Sequence, residues 1–321
     1  MKPWANEIEA HIQHWSARLG NLGWWPRYIY HFTDVQNAAN ILQNGHLYSR
    51  HKAQQLGLMT VDNASPTIIQ QTSPEHYHYV RLYFRPRTPT QYRNEGIRPL
   101  NQRQYDGAHC PVPIFFCFDA FSLLAQPETL FSNGSMARPQ VEYNDSRDFF
   151  FSIPFEKVYH NRRYSSSEKD IVFHRHAELL VPNQLPLQPT LKFIACRSVA
   201  ERQTLLQLLP RGLANRWLPR IRLGQMGLFE RRWTYIKEVV VVDGRIIVRF
   251  NPDTQTPGPF NVKISYLEDG ADKPRDWSGT MDKLNDQLVF RPDGAKWGTL
   301  TLHLDDALAF KGIILFEETP F

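Results

Sequence analysis

Hydrophobic spacing divides the chain into two textures. From residue 28 to about 209, short apolar runs at strand spacing alternate with segments at helical spacing and with polar loops. Strands are expected at residues 28–33, 80–84, 113–118, 148–153, 177–181 and 191–195, and helices at 5–19, 35–44 and 198–209. Asp34 has the chemistry of a helix N-cap, Gly45 of a helix stop, and Pro210 ends the last helix. Residues 45–50 read as a polar return to the sheet. Residues 54–78 show weak periodicity, and are either a lid that orders over a ligand or a variable surface loop.

After Pro210 the pattern becomes repeated alternation at residues 236–242, 246–250, 262–267, 287–290, 299–304 and 313–316, punctuated by turn pairs such as Asp243-Gly244 and Asp269-Gly270. The expected architecture is therefore an α+β domain over residues 1–210 followed by an all-β, sandwich-like domain over 211–321.

Composition sharpens this only a little. A chain of 321 residues, 42% hydrophobic and 13% aromatic, is that of a folded protein, and two domains suit its length. The N-terminus carries no signal pattern and no apolar run approaches membrane-spanning length, so a cytoplasmic protein without a membrane partner is expected. Cys110, Cys117 and Cys196 form no metal-ligand spacing, and no metal is expected.

Charge distribution says more than the net +5. Six arginines stand against Glu95 alone between Arg81 and Arg103, and six against Glu230 alone between Arg211 and Arg232, whereas the last seventy or so residues are acidic. Part of the surface is thus suited to a polyanion.

Four motifs carry candidate chemistry. They are His31-Phe32-Thr33, the return Asn44-Gly45-His46-Leu47-Tyr48-Ser49-Arg50, Tyr83-Phe84-Arg85-Pro86-Arg87-Thr88-Pro89, and Arg175-His176-Ala177-Glu178-Leu179-Leu180-Val181-Pro182. In this order over one domain length they resemble the DarT family of nucleic-acid ADP-ribosyltransferase toxins, across roughly residues 25–210. The resemblance implies a split β-sheet of the ADP-ribosyltransferase type, NAD as co-substrate, a base in single-stranded DNA as acceptor, and a macrodomain-type antitoxin that reverses the modification.

Glu178, at the junction of a polar loop and an apolar strand, is the expected catalytic carboxylate; the alternative is a surface glutamate paired with Arg175. His31 and Thr33, on one strand face, are expected to line the NAD groove, with His31 on a ribose hydroxyl; a buried core histidine is the alternative. Tyr83 is expected to stack on nicotinamide or a base, and Arg50 to meet a cofactor phosphate. Pro86 and Pro89 set Arg85 and Arg87 on a projecting cationic turn, with Tyr92 and Arg93 beside it, and Arg162, Arg163 and Tyr164 mix cation and ring in the loop before Glu178. Both groups are expected to grip single-stranded nucleic acid.

Two departures bear on the acceptor. The family pattern implies a functional arginine before Tyr83, yet residues 67–72 hold none, and Thr90 replaces the usual methionine. A guanine or RNA acceptor therefore stays open. So do a protein-directed transferase or NAD glycohydrolase and a catalytically dead nucleic-acid-binding module.

Overall fold

In the computed structural model, residues 1–62, 65–103, 108–163, 165, 168–224, 227–284, 287–292 and 297–316 are described. Ten strands belong to the first texture: β1 (Tyr28–Asp34), β2 (His46–Tyr48), β3 (Tyr79–Tyr83), β4 (Pro113–Asp119), β5 (Leu130–Ser132), β6 (Tyr143–Asn144), β7 (Glu178–Pro182), β8 (Gln184–Pro186), β9 (Leu191–Cys196) and β10 (Ile221–Leu223). Eight of them form one sheet in the order β10-β9-β4-β1-β3-β7-β5-β6.

The sheet is centred where the sequence is most continuously apolar. The side chains of β4 from Pro113 to Phe118 are all buried, because Ile114, Phe116 and Phe118 enter the main core on one face while Phe115 and Cys117 enter a smaller core on the other. Tyr30, Phe193, Ala195, Leu228 and Phe229 complete that smaller core. Burying each phenylalanine stabilises the fold by about 2–3 kcal/mol.

The helix Val35–Asn44 forms as expected. Asp34 accepts the Gln36 N–H at 3.0 Å, Gly45 ends the helix at φ 67°, and Val35, Ala38, Ala39 and Leu42 are buried. Two expected pairings differ. Residues 46–48 do not join the main sheet; they form a separate two-stranded ladder with β8. Residues 148–153 are not a strand, since Arg147–Ser152 is a helix whose cap, Ser146, accepts the Phe149 N–H. Its run of three phenylalanines is not alternating: Phe150 alone is fully buried, against Trp4, Phe131 and Phe155, and Pro154 closes the turn.

Residues 54–78 hold more structure than their weak periodicity suggests. Pro66–Gln71 is helical, Pro74–His78 forms a 3-10 helix, and Asn37 receives the Thr60 and Val61 amides. Residues 63 and 64 of this segment lie outside the described residues.

The second texture supplies β11 (Ile236–Val242), β12 (Arg245–Phe250), β13 (Phe260–Glu268), β14 (Arg275–Met281), β15 (Gln287–Phe290), β16 (Gly298–Leu304) and β17 (Ala307–Ile314). They form sheets β11-β12-β15 and β14-β13-β16-β17 around a shared core to which Ile97 and Ala200 also contribute. β14 has no alternation to detect, being almost wholly exposed and polar, and β17 begins six residues before the expected strand.

A buried charge cluster ties the two textures together. Glu95 receives Arg197 Nη1 at 3.3 Å, Gln91 Nε2 at 2.7 Å, and the amides of Glu230 and Arg231 at 2.9 Å each; Arg197 also pairs with Glu201. Glu95 and Arg197 are fully buried, so removing one partner strands a charge in low dielectric. Glu95→Ala is expected to cost about 3–5 kcal/mol in urea unfolding. A loss below about 1 kcal/mol would show that the cluster is not what joins the segments.

Candidate active site

Strand register places the site. Tyr30 pairs with Tyr83, and Tyr83 with Glu178, so the three residues stand in one row across β1, β3 and β7. Alternation puts Arg81 and Tyr83 on the same face as Glu178. β7 lies between β3 and β5, and the Glu178 carboxylate is 1% exposed, which rules out the surface glutamate paired with Arg175. Arg175 instead reaches His160 Nδ1 and the Arg162 carbonyl.

Glu178 is held by Arg81, a residue the sequence reading counted only as charge. Arg81 Nε lies 2.5 Å from Oε2 and Nη2 2.6 Å from Oε1, a two-pronged fork, and the Glu178 amide donates to Ser132 Oγ at 2.9 Å. Burial works against the Arg81 charge, but the carboxylate outweighs it and holds the guanidinium pKa above its ordinary value. The Arg81 side chain remains 30% exposed, so one side of the pair is open to a ligand. A signal was present in the sequence: Tyr79-Val80-Arg81-Leu82-Tyr83 alternates, and an arginine inside such a strand needs a partner on its own face.

β1 and β3 share a single register pair, Tyr30 with Tyr83, and beyond it the sheet opens. His31 stands at that opening, with Nδ1 3.3 Å from the Arg81 carbonyl oxygen. His31 and Glu178 are therefore not brought side chain to side chain. Alternation assigns them to opposite faces of the sheet, and Arg81 is the residue that touches both, the imidazole through its carbonyl and the carboxylate through its guanidinium. Burial draws the His31 pKa down to about 4, so the ring is neutral at pH 7 and can both donate and accept.

Thr33 is buried next to His31 on the strand face, and Asn37 donates to its Oγ1 at 3.2 Å. Tyr83 is half-buried and stacks on Phe32 at 6.3 Å between ring centroids, and burial, with Glu178 next, raises its hydroxyl pKa. Tyr83 shares a hydrogen bond with Thr90, whose Oγ1 lies 3.0 Å from His176 Nε2, linking the helix Pro89–Asn94 to the segment just before Glu178. His176 is not on a strand but follows the helix Asp170–His174, and burial lowers its pKa to about 4. Arg50 forks onto Asp62 and lies 6.0 Å from the Tyr77 ring.

The cationic turn divides. Arg85 does not project: it is 1% exposed, lies 4.7 Å over the Trp25 ring, and donates to the carbonyls of Pro86, Val158 and His160 and to Asn161 Oδ1. It braces the start of the loop before Glu178, because a buried guanidinium must satisfy its five N–H groups. Burial draws its pKa to about 9, still above neutrality. Arg87 is half-buried at φ 55°, while Tyr92 and Arg93 are exposed on the helix Pro89–Asn94. Arg162 and Arg163 are exposed; Tyr164 lies outside the described residues. Among the described residues no cluster of metal-ligating side chains occurs, and no helix is long and apolar enough to cross a membrane.

A profile of the family described as "ssDNA thymidine ADP-ribosyltransferase, DarT" matches residues 30–222. Similar solved structures include Thermus sp. 2.9 DarT in complex with ADP-ribosylated ssDNA (18% identity, 62% of this chain and 93% of that one, TM-score 0.48) and the same protein with NAD+ (18%, 62% and 95%, 0.46). Thermosipho africanus DarTG in complex with ADP-ribose is also similar (15%, 67% and 53%, 0.46). No curated protein sequence matches the chain.

The lowered pKa values of His11, His31 and His176, each about 4, give a pH prediction. Each folded value lies below the unfolded one, so the unfolded chain takes up protons first and stability is lost as pH falls from about 6.5 towards 4. Asp34, raised by burial to about 6, acts oppositely, as do Glu201 and Glu230, while His160 and His303, also lowered by burial, add to the loss. The melting temperature is expected to fall between pH 7 and pH 5. His31→Gln is expected to lessen that loss by about 1–2 kcal/mol, allowing for partial solvent access; an identical pH slope in the two proteins would contradict this.

Proposed function

Because the chain belongs to the DarT family of single-stranded-DNA ADP-ribosyltransferases, we propose that Glu178, held by Arg81, is the carboxylate that drives transfer of ADP-ribose from NAD to a DNA base. The observation that carries this reading is the buried, forked pair at the head of β7, one side of it open. Nicotinamide departs with the electrons of its bond to ribose, the sugar gains positive charge, and a nitrogen of the acceptor base bonds to the anomeric carbon, its proton passing to solvent water.

The protein side of that reaction follows from its electrostatics. A carboxylate fixed in a site sheltered from water stabilises a developing cation without reorganising, and also accepts a hydrogen bond from a ribose hydroxyl. Arg81 fixes the orientation of Glu178 through its two-pronged fork. Neutral His31, on the other side of the Arg81 backbone, is suited to a ribose hydroxyl, and Thr33 lies on the same strand face. The Tyr83 ring, in register beside Glu178, offers a stacking face. Arg50, partly exposed at the far end of β3, suits a phosphate of the dinucleotide if it exchanges Asp62 for it.

Arg87, Arg93, Arg162, Arg163 and Tyr92, half-buried or exposed, combine cation and ring, which is what holds unpaired bases. Modifying template bases would halt replication, which supports the role of a toxin in a toxin–antitoxin or phage-defence system, restrained by a macrodomain-type partner.

Incubating the full chain with labelled NAD and separate pools of single-stranded DNA, duplex DNA, RNA and protein tests the proposal. Label is expected on single-stranded DNA, with oligonucleotides of each base identifying the acceptor, and Glu178→Ala is expected to lower the rate by at least about 10²-fold. Label confined to protein, or released only as free ADP-ribose, would reject the reading.

A further inference from the structure

Outside the site, rings and guanidinium groups stack where the helix Pro89–Asn94 meets residues 230–233. The Arg232 guanidinium lies 3.9 Å from the centroid of Tyr92 and 4.5 Å from that of Trp233, and the Arg98 guanidinium lies 4.0 Å from Trp233. The order Tyr92, Arg232, Trp233, Arg98 forms a ladder of alternating ring and cation, from exposed Tyr92 to buried Arg98. We propose that this ladder is a platform for the single-stranded DNA flanking the acceptor nucleotide, with a base on Tyr92 and phosphates on the neighbouring arginines.

Several independent observations support that role. The ladder is rigid before any ligand arrives: Gln91 Nε2 donates to the Leu228 carbonyl at 2.6 Å, and Glu95 receives the Glu230 and Arg231 amides. Arg87 and Arg231 both adopt left-handed backbone conformations, φ 55° and 58°, a strained choice for arginine. Among the described residues, no ion pair holds Arg87, Arg231 or Arg232. Glu230 is within electrostatic reach of Arg87 and Arg232 but bonds neither. A seam that served stability alone would gain by neutralising such charges; a surface for polyanions keeps them.

Thr90, two residues before Tyr92, bonds His176, itself two residues before Glu178, so the ladder starts within one helical turn of the catalytic row. Arg231, Arg232 and Trp233 lie beyond the family segment of residues 30–222, so the C-terminal part of this chain extends the substrate track. The choice of single-stranded DNA as occupant rests on the function proposed above.

The test is direct binding of fluorescent oligonucleotides to the full chain without NAD, so that it reads the ladder independently of transfer. Oligodeoxynucleotides of about 4 and about 16 nucleotides bracket the length such platforms take up. Tyr92→Ala and Arg232→Ala are expected to weaken binding of the longer strand by about 10- to 100-fold, and Tyr92→Phe to retain it, since stacking on one ring is worth that much. Arg232→Ala is also expected to flatten the salt dependence by about 0.7 in log–log slope, and Arg232→Lys to restore the slope without the full affinity.

Unchanged affinity for the longer strand in Arg232→Ala, with or without a lower melting temperature, would overturn the platform and leave only an interdomain seam. Tighter binding of the equivalent oligoribonucleotide would overturn the DNA assignment. A wild-type protein that binds through the ladder yet labels no DNA would reject the proposed reaction while upholding the platform.

Discussion

The fork between Arg81 and Glu178 is the interaction on which the rest of the site depends. A carboxylate 1% exposed within a sheet needs a partner for both of its oxygens, and the Arg81 fork supplies it. The register that aligns Tyr83 with Glu178 puts Arg81 on the right face, and the opening of the sheet beyond Tyr30 leaves room beside it. The same residue turns its carbonyl to His31. One arginine therefore links two side chains that strand alternation sends to opposite faces.

A second network works at a distance from the chemistry. Glu95, Arg197 and Glu201 are buried together, and Glu95 also gathers amides from residues 230 and 231. That cluster fixes the helix Pro89–Asn94, which touches the site through Thr90 and presents Tyr92 to solvent. Buried and outward charge thus divide between neighbours in sequence: Arg85 is consumed by bracing carbonyls, while Arg87 and Arg93 remain on the half-buried or exposed side. Proline and arginine content alone could not separate them, because the separation depends on which carbonyls the fold brings within reach.

Much of the fold was legible in the chain. β1, β4, β7 and β9 follow from alternation or continuous apolar runs, and the helix Val35–Asn44 from its cap, period and terminal glycine. The strand expected at residues 148–153 failed because three consecutive aromatics carry no period, and the cap at Ser146 decided the matter. β14 went unseen because a polar, exposed strand is defined by pairing with β13 rather than by burial. In the site, Glu178 was visible from its place before an apolar run, but its partner was not. The pairing of Glu178 with Arg81 depends on the register of β3 and β7, which no local sequence pattern gives.

The most direct test of the central claim is single-turnover transfer by Arg81→Ala and Arg81→Lys, with NAD affinity measured alongside. If Arg81 orients Glu178, the alanine variant will lose about 10²- to 10³-fold in rate while NAD affinity changes far less, and lysine, a point charge without the fork, will restore only part of the rate. Wild-type turnover in Arg81→Ala would contradict the account.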